Sequence, residues 1–546
     1  MKKSPAVITL RFFLFLCMFP CWSSCTKQTP VITAIDPRIG MMGEVLTIHG
    51  ENFGEDRDES YVTIAGAPPT ASSYIEWSDN RISVRVPEFG DSGLVYVYTG
   101  KEKSNAALFS NRATMPHSVR GPAVGIGPRI LSIEPSAGAI GSAVTILGQN
   151  FGSSREGSRI FFAWDAEAGP AAPAEVARPS QVAVSETDFG YELWNEREIR
   201  IRVPDGAISG NVEIKTPRGN SMPVFFDVSG KPGSKTFKDK RSYAISYSVD
   251  IKVQESSGQN SLYLWMPLPE TSASQKEAQL LARSMEPFIE NHQGSALFRF
   301  SNLQNEAAAR VTLSYLVEVY AVETDIRPQS IRQTGNSALH TAYTAAAPLI
   351  PSNDPEITEQ SARITGRERN PYLKAQRIYD WLIKDMEIQR EPLEGGALEA
   401  LASGQADAYQ GALLFCSLAR ASGIPALPVS GILVDRSRAI GRHYWAEFWI
   451  DGLGWIPVDP ALGSGAFSDV MNTRQDRAAY YFGNIDSQRI TFSRGQAQLS
   501  QMDSRGRTVS RDRGYALQNV WEEAVGSLES YSSLWSDIII TGVYAH

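Results

Sequence analysis

Residues 406–426 read Ala-Asp-Ala-Tyr-Gln-Gly-Ala-Leu-Leu-Phe-Cys-Ser-Leu-Ala-Arg-Ala-Ser-Gly-Ile-Pro-Ala, and the interpretation of the whole chain depends on them. Two shorter motifs follow: Arg-His-Tyr-Trp-Ala-Glu-Phe at 442–448 and Gly-Trp-Ile-Pro-Val-Asp-Pro at 454–460. The first stretch is an apolar run that ends at Gly-Ile-Pro, which predicts a buried helix. The other two supply a histidine and an aspartate, the residue types that serve as base and orienting carboxylate in nucleophilic catalysis.

Together the three motifs resemble the core of the transglutaminase-like family, a papain-like fold with a Cys, His and Asp triad. In that family the helix carries its nucleophilic Cys fifteen residues before the Gly of Gly-Ile-Pro and four before the first helical Ala. Gly423 and Ala412 both place this position at Ala408. The resemblance implies that His443 and Asp459 are retained triad positions for the base and its carboxylate. It also implies that the nucleophile is missing.

Cys416 is the only cysteine of the core, and it lies eight residues further along the same helix. At 1.5 Å per residue this displaces it by about 12 Å, whereas a nucleophile must come within hydrogen-bond reach of its base. We therefore expect Cys416 to be a small core residue. Ala406 stands where the family usually has Gly, and Gln405 is a candidate for holding an oxyanion by position only.

The loss of the nucleophile decides the expected function, because an alanine methyl group can neither ionise nor attack a carbonyl. The sequence predicts a non-catalytic module that binds a peptide or protein ligand, with His443 and Asp459 kept as a structural pair. The alternative is an active cysteine acyltransferase or cysteine peptidase, which requires Cys416 to reach His443. A purely structural envelope protein is the third class. The six histidines lie at no metal-ligand spacing, so we expect no metal and no cofactor.

A repeat precedes the core. Residues 46–54, Leu-Thr-Ile-His-Gly-Glu-Asn-Phe-Gly, return at 144–152 as Val-Thr-Ile-Leu-Gly-Gln-Asn-Phe-Gly, and 82–87 return at 199–204. The two shifts differ by 19 residues, so the second copy carries an insertion around 164–181. Short alternating strands between Gly, Pro and Asn turns are typical of a β-sandwich. Both copies resemble the IPT/TIG family of immunoglobulin-like domains, which implies either spacers or binding modules.

Alternating segments between residues 236 and 335 include Leu-Tyr-Leu-Trp-Met-Pro-Leu-Pro at 262–269, which looks like the β-domain that precedes the core of bacterial transglutaminase-like proteins. Within this β-domain, Ser274 to Glu286 is predicted to form a short helix. The expected fold is multidomain: two all-β immunoglobulin-like sandwiches, a β-domain and an α+β papain-like core. Its predicted segments are a leader 1–25, a tether 26–30, sandwiches 31–115 and 128–229, the β-domain 236–335, and a core with a C-terminal extension at 336–546.

The first 25 residues carry the parts of an export signal. Lys2 and Lys3 precede an apolar run at 12–19, and small residues precede Cys25. The run is too short to span a bilayer. This arrangement resembles a bacterial lipoprotein cleavage box, which implies lipidation of Cys25 and a membrane-anchored protein of the cell envelope; ordinary secretory cleavage is the alternative. With a net charge of -8 and interspersed charges in 546 residues, the chain lacks the basic surface that nucleic acid requires.

Overall fold

The chain is described here from a computed structural model. The described residues are 29–87, 92–112, 127–166, 180–332, 337–435, 440–467, 476–511 and 513–545. The chain divides into two compact units, Met1–Ser118 and Val119–His546. The predicted leader, its lipidation site Cys25 and most of the tether lie outside the described residues. No helix in the described part combines the length and the apolar character that a bilayer span requires.

The first unit contains the first predicted sandwich. Its strands are β1 (Val31–Asp36), β2 (Ile39–Gly40), β3 (Val45–Glu51), β4 (Tyr61–Ile64), β5 (Tyr74–Ser78), β6 (Arg81–Arg85), β7 (Gly93–Thr99), β8 (Glu102–Lys103) and β9 (Ala107–Asn111). One sheet has the order β1-β3-β6-β5, and the other has the order β2-β9-β7-β4 with β8 beside β7. Alternate side chains such as Val62 and Val95 are fully buried between the sheets, as the two-residue period of a strand requires.

The second sandwich, in the second unit, repeats this topology. Its strands are β10 (Arg129–Glu134), β11 (Ala137–Gly138), β12 (Ala143–Gln149), β13 (Arg159–Trp164), β14 (Ser180–Ala183), β15 (Tyr191–Trp194), β16 (Glu198–Arg202), β17 (Gly210–Thr216), β18 (Gly219–Asn220) and β19 (Val224–Val228). The sheet orders are β10-β12-β16-β15 and β11-β19-β17-β13-β14. The predicted insertion falls between β13 and β14, where residues 167–179 lie outside the described residues.

The repeated Gly-x-Asn-Phe-Gly motif closes each sandwich. Phe53 is fully buried in the first sandwich, and Phe151 is buried in the second. A Cβ atom on Gly50 would lie 2.2 Å from the Phe53 ring, so glycine is needed for this close approach. Gly54 has a φ of +88°, which ordinary side chains rarely adopt. The repeated Phe therefore fills the interior of each sandwich, and the Gly that follows it adopts a positive φ in both copies.

The β-domain follows and is one antiparallel sheet. Its strands are β20 (Gly233–Pro267), β21 (Gln275–Arg283), β22 (Ile289–His292), β23 (Ser295–Ser301) and β24 (Ala308–Ile326), in the order β21-β24-β20-β23-β22. The prediction of a helix from Ser274 to Glu286 is wrong, because β21 pairs along the edge of β24, from Gln275 opposite Val319 to Arg283 opposite Leu313. The unpaired edge of a neighbouring strand overrides a weak local helix preference.

The core packs helices against a four-strand antiparallel sheet. The helices are α1 (Ala338–Thr344), α2 (Pro355–Thr365), α3 (Pro371–Asp385), α4 (Ala397–Ser403), α5 (Ala408–Ala421), α6 (Pro460–Ser464) and α7 (Arg477–Tyr480). The strands are β25 (Glu387–Ile388), β26 (Gln405–Ala406), β27 (Ala426–Val434), β28 (Ile440–Ile450), β29 (Gly454–Val458) and β30 (Arg489–Arg494). Sheet order is β29-β28-β27-β30. Every residue of α5 from Ala408 to Arg420 is buried, which confirms the predicted buried helix.

The last strands of the chain are β31 (Arg507–Val509), β32 (Glu522–Trp535) and β33 (Ile539–Ala545). The sequence analysis placed them in an extension of the core, whereas β32 and β33 pair with β20 of the β-domain. Val249, for example, lies opposite Trp535. The sheet of the β-domain is therefore built from strands that precede the core in the chain and from strands that follow it.

Candidate functional site

The start of α5 is fixed by a network around Asp407. Its carboxylate caps the helix by accepting a hydrogen bond from the Gln410 backbone N–H at 2.8 Å, and the Gln410 side-chain oxygen accepts the Asp407 backbone N–H at 3.4 Å, which completes a capping box. The second carboxylate oxygen accepts from the Leu393 N–H at 2.8 Å and from the guanidinium of Arg513. Position 408 follows directly, at the first residue of the helix, and presents only a methyl group.

His443 and Asp459, the two retained triad positions, are in direct contact. His443 lies on β28, and Asp459 follows β29 as the N-terminal cap of α6. His443 Nε2 lies 2.8 Å from Asp459 Oδ2, and both side chains are fully buried. The register of β28 and β29, with Ala446 opposite Val458, brings the two residues to the same end of the sheet. Whether this pair is catalytic or structural stays a prediction.

Asp459 is held by more than His443. Arg489 on β30 donates from Nη1 to Asp459 Oδ2 at 3.0 Å and from Nη2 to Asp486 Oδ2 at 2.8 Å, and the Leu462 N–H donates to Asp459 Oδ1 at 2.9 Å. Burial alone would raise the pKa of Asp459, but His443, Arg489 and the Leu462 N–H lower it below its ordinary value. The carboxylate is therefore ionised at neutral pH.

The other ring nitrogen of His443, Nδ1, is buried and makes no hydrogen bond within the described part of the chain. The ring packs edge-on against Phe467 at 5.1 Å and stacks with Trp445 at 6.1 Å. Tyr409 and Tyr444, the residues after Ala408 and His443, have ring centroids 5.0 Å apart. The helix start and the histidine strand are thus in contact, and the position that would supply a thiol supplies a methyl group.

Cys416 lies inside the core. It is fully buried, and burial raises the pKa of its thiol to about 12, with Arg420 and Glu447 as its charged neighbours. A reactive cysteine needs an electropositive, partly exposed environment that lowers its pKa. This environment does the opposite and fits a packing residue. Gln405, the position-based oxyanion candidate, donates to Glu387 Oε2 at 2.9 Å on an exposed surface.

This arrangement can orient and hold a histidine, and the first residue of α5 is Ala408, whose methyl group cannot attack a carbonyl. The described residues also contain no group of three or more His, Cys, Asp or Glu side chains placed to hold a metal ion. The sequence analysis missed Arg489, Asp486 and Phe467 as members of the site. A charged residue at the start of a strand with alternating apolar residues, Ile490 and Phe492, was the available signal for Arg489, because a buried charge requires a partner.

Family comparisons agree with this architecture. Residues 358–460 match the Transglutaminase-like superfamily. Residues 30–112 and 128–166 match the IPT/TIG domain. The first match covers α5, β28, β29 and Asp459, and the second covers the first sandwich and the start of the second.

Individual relatives are distant. An uncharacterized protein of Haemophilus influenzae is 26% identical over 298 residues, which are 47% of this chain and 79% of that protein. A cyclomaltodextrin glucanotransferase of Paenibacillus macerans is 28% identical over 86 residues, which are 16% of this chain and 12% of the enzyme.

Solved structures are more distant still. The periplasmic domain of TgpA from Pseudomonas aeruginosa shares 12% identity and a TM-score of 0.25, over 43% of this chain and 92% of that one. A Cytophaga hutchinsonii protein provisionally described as a cysteine protease shares 12% identity and a TM-score of 0.36, over 57% of this chain and 93% of that one. Taken together, the fold and the two family matches show a multidomain chain with a transglutaminase-like core and with IPT/TIG domains ahead of that core.

Proposed function

We propose that this chain is an exported, lipid-anchored protein of the cell envelope, and that its transglutaminase-like core binds a peptide or protein without turning it over. The observation that carries the proposal is Ala408 at the first position of α5, beside a His443 and Asp459 pair that keeps its hydrogen bond at 2.8 Å. Covalent acyl transfer has no nucleophile there. Cys416 is buried and has a raised thiol pKa, so it does not replace the missing group.

Retention of the polar frame supports a binding role over a purely structural one. Asp459, Arg489 and Asp486 are charges removed from water, which is costly, and well-packed apolar residues are often as stable in such places. A core with a purely structural role could be equally stable with apolar residues in place of this charged network. A core that binds a peptide at the start of α5 benefits from a rigid polar frame beneath the binding surface, and we assign the buried His443 and its partners to that frame.

Export and anchoring rest on the N-terminal pattern that ends at Cys25. In this arrangement the sandwiches hold the core away from the membrane surface. Replacement of Cys25 by Ser is expected to abolish lipid labelling and to release the chain from the membrane fraction. Membrane retention of the Cys25→Ser variant would contradict the anchor and leave the core proposal untouched.

The core proposal is tested by turnover. The natural chain, Cys416→Ala and Ala408→Cys are assayed with a glutamine-donor protein and a fluorescent primary amine, and with a peptide library for cleavage. The natural chain and Cys416→Ala are expected to be inert. Ala408→Cys is expected to gain activity, and adding His443→Ala to it is expected to remove that activity, because the thiol then lacks its base.

Turnover by the natural chain that disappears in Cys416→Ala would overturn the proposal and establish an enzyme. Binding is tested separately by selecting peptides against the immobilised chain and measuring them on Ala408→Trp, whose indole obstructs the start of α5. Peptides held at the site lose affinity on Ala408→Trp and keep it on Cys416→Ala, the matched variant in the core. Equal affinity for all variants would place binding elsewhere and contradict the assignment to this site.

A further inference from the structure

A second histidine site lies in a cavity of about 440 Å³, between the second sandwich and the core of the second unit. This volume is within the usual range for small-molecule sites. Among the residues that line it, the sandwich supplies Ile140, Arg202 and Val203, and the core supplies His340, Trp449 and Asp451. It is separate from the His443 site, and none of the family motifs contributes His340.

His340, on α1, carries an unused hydrogen-bonding atom in this cavity. Its side chain is buried, with 5% exposure. Nδ1 lies 2.8 Å from Ser337 Oγ, whereas Nε2 has no hydrogen-bond partner among the described residues. Asp451 Oδ1 is the nearest carboxylate oxygen to Nε2, and at 3.6 Å it is beyond hydrogen-bond distance. A buried polar atom without a hydrogen-bond partner costs free energy. A ligand group in the cavity that accepted or donated a hydrogen bond at Nε2 would remove this cost.

The hydrogen bonds around His340 indicate which way its orphan nitrogen acts. Ser337 Oγ accepts the His340 backbone N–H at 3.2 Å, so its hydroxyl hydrogen is free to be donated to Nδ1. Nε2 then carries the ring hydrogen and is a donor. Burial lowers the pKa of His340, and this effect outweighs the opposing pull of Asp451, so the ring is neutral at pH 7. A ligand group that bridges His340 Nε2 and Asp451 Oδ1 must accept a hydrogen bond from Nε2–H and donate one to the carboxylate. A hydroxyl group can do both.

Two charged residues of the cavity walls are already paired within the protein. Arg202 pairs with Glu192 at 2.6 Å and donates to the Gly141 carbonyl at 2.9 Å. Asp205 pairs with Lys235 at 2.6 Å. A charged ligand would therefore find no unpaired counter-charge at Arg202 or Asp205, whereas a neutral ligand with several hydroxyls can share the carboxylates as acceptors. Apolar walls such as Leu339 and Ile140 suit the C–H faces of a sugar ring.

We propose that this cavity binds a neutral polyhydroxylated ligand of monosaccharide or disaccharide size, with one ligand hydroxyl bridging His340 Nε2 and the Asp451 carboxylate. The orphan nitrogen, the cavity volume and the internally paired walls each support this ligand class. The site adds a saccharide-binding function to the second unit and is independent of any activity at His443.

The test is calorimetric titration of the full chain with glucose, galactose, N-acetylglucosamine, maltose and cellobiose, supported by the fluorescence of Trp449. At least one sugar is expected to bind. His340→Leu is expected to lower the affinity for that sugar about tenfold or more, because one buried hydrogen bond is lost. His49→Leu is the matched control, since His49 is an exposed histidine of the first sandwich, and it is expected to bind as the natural chain does.

Asp451→Asn is the second variant, because its amide oxygen can still accept the Trp449 indole N–H while the carboxylate charge is lost. Asp451→Asn is expected to lower the affinity for the same sugar. It tests the proposal on its own if His340→Leu does not fold. Failure of all five sugars to bind the natural chain at about 10 mM would overturn the proposal. So would equal binding by the natural chain and both variants, or binding of acetamide and of glutamine peptides in place of sugars.

Discussion

Two of the buried histidines of the second unit, His443 and His340, each have a carboxylate neighbour and one ring nitrogen without a hydrogen bond among the described residues, but they differ in how tightly they are held. His443 Nε2 lies 2.8 Å from Asp459, which also binds Arg489 at 3.0 Å. His340 is held through Nδ1 by Ser337, and its carboxylate neighbour Asp451 is 3.6 Å away. His443 is held by an ionised carboxylate, whereas His340 is held by the neutral hydroxyl of Ser337 at the start of α1.

The difference separates two reasons for a missing hydrogen bond. At His443 the surroundings are packed, with Phe467 against the ring, and under the proposed function the missing partner is the side chain that Ala408 lacks. At His340 the surroundings include a cavity of about 440 Å³, so under the further proposal the missing partner comes from a ligand.

The largest expected effect concerns the thiol that the first site lacks. Ala408→Cys is expected to react with iodoacetamide at pH 7 about 10³-fold faster than Cys416, because a thiol at the first position of α5, where the helix dipole favours the thiolate, has far more thiolate than one whose pKa is raised to about 12. The measurement is mass-spectrometric alkylation kinetics on the folded chain. Rapid native alkylation of Cys416 would break the comparison, since that cysteine would then be accessible.

The next effect concerns the charges that fix His443. Arg489→Leu leaves Asp459 and Asp486 buried without their cation and is expected to destabilise the second unit by about 3–5 kcal/mol. Chemical denaturation monitored by tryptophan fluorescence measures this cost. Arg363→Leu is the control, because its ion pair with Glu359 is exposed and such pairs contribute about 0–1 kcal/mol. Equal losses of unfolding free energy for the two variants would show that the buried Asp459 network contributes no more stability than an exposed ion pair.

A pH effect follows from Asp459. The pKa of Asp459 is lowered in the folded chain, so its stabilising contribution is present above the unfolded pKa of about 3.9 and is lost as pH falls through the folded pKa. Below about pH 4 the natural chain is expected to lose stability more steeply than Asp459→Asn. Thermal melts between pH 3 and 7, roughly spanning this range, measure the slopes. Asp380→Asn, at an exposed ion pair, should follow the natural chain; parallel slopes for all three would contradict the assignment.

The smallest effect compares the histidines directly. His443→Leu is expected to cost about 1–3 kcal/mol, since it removes a charge-assisted hydrogen bond from a buried carboxylate. His340→Leu is expected to cost about 1 kcal/mol or less, because Ser337 keeps its capping bond and an unsatisfied nitrogen disappears. Denaturation without added ligand measures both. A larger loss for His340→Leu would mean that Asp451 stabilises the ring despite the 3.6 Å gap.

Much of the fold and half of the site could be predicted from local sequence. The apolar run of α5 and the Gly-Asn-Phe-Gly repeat are complete within short windows, so they identified the helix and the sandwiches. The spacing from Gly423 located Ala408, and the strand motifs located His443 and Asp459. Each of these depends on residues that are close in the chain.

The remainder depends on partners distant in sequence. Arg489 joins Asp459 across 30 residues, and the helix expected at Ser274 to Glu286 became a strand because β24 offered an edge. Strand β33 pairs with residues of β20 almost 300 positions earlier, such as Gly542 with Ala244. No local pattern encodes such pairings, because they are chosen by the burial and hydrogen bonding of the assembled unit.

The sequence by itself determined the identity of the domains, the absence of a thiol at residue 408 and the presence of His443 and Asp459, because these depend on residue type and spacing. Only the tertiary structure decided that Arg489 fixes Asp459, that Cys416 is sealed in the core, and that His340 borders a cavity beside the second sandwich. The physical reason is that burial, pKa and cavity shape belong to surfaces that meet only when the domains pack together.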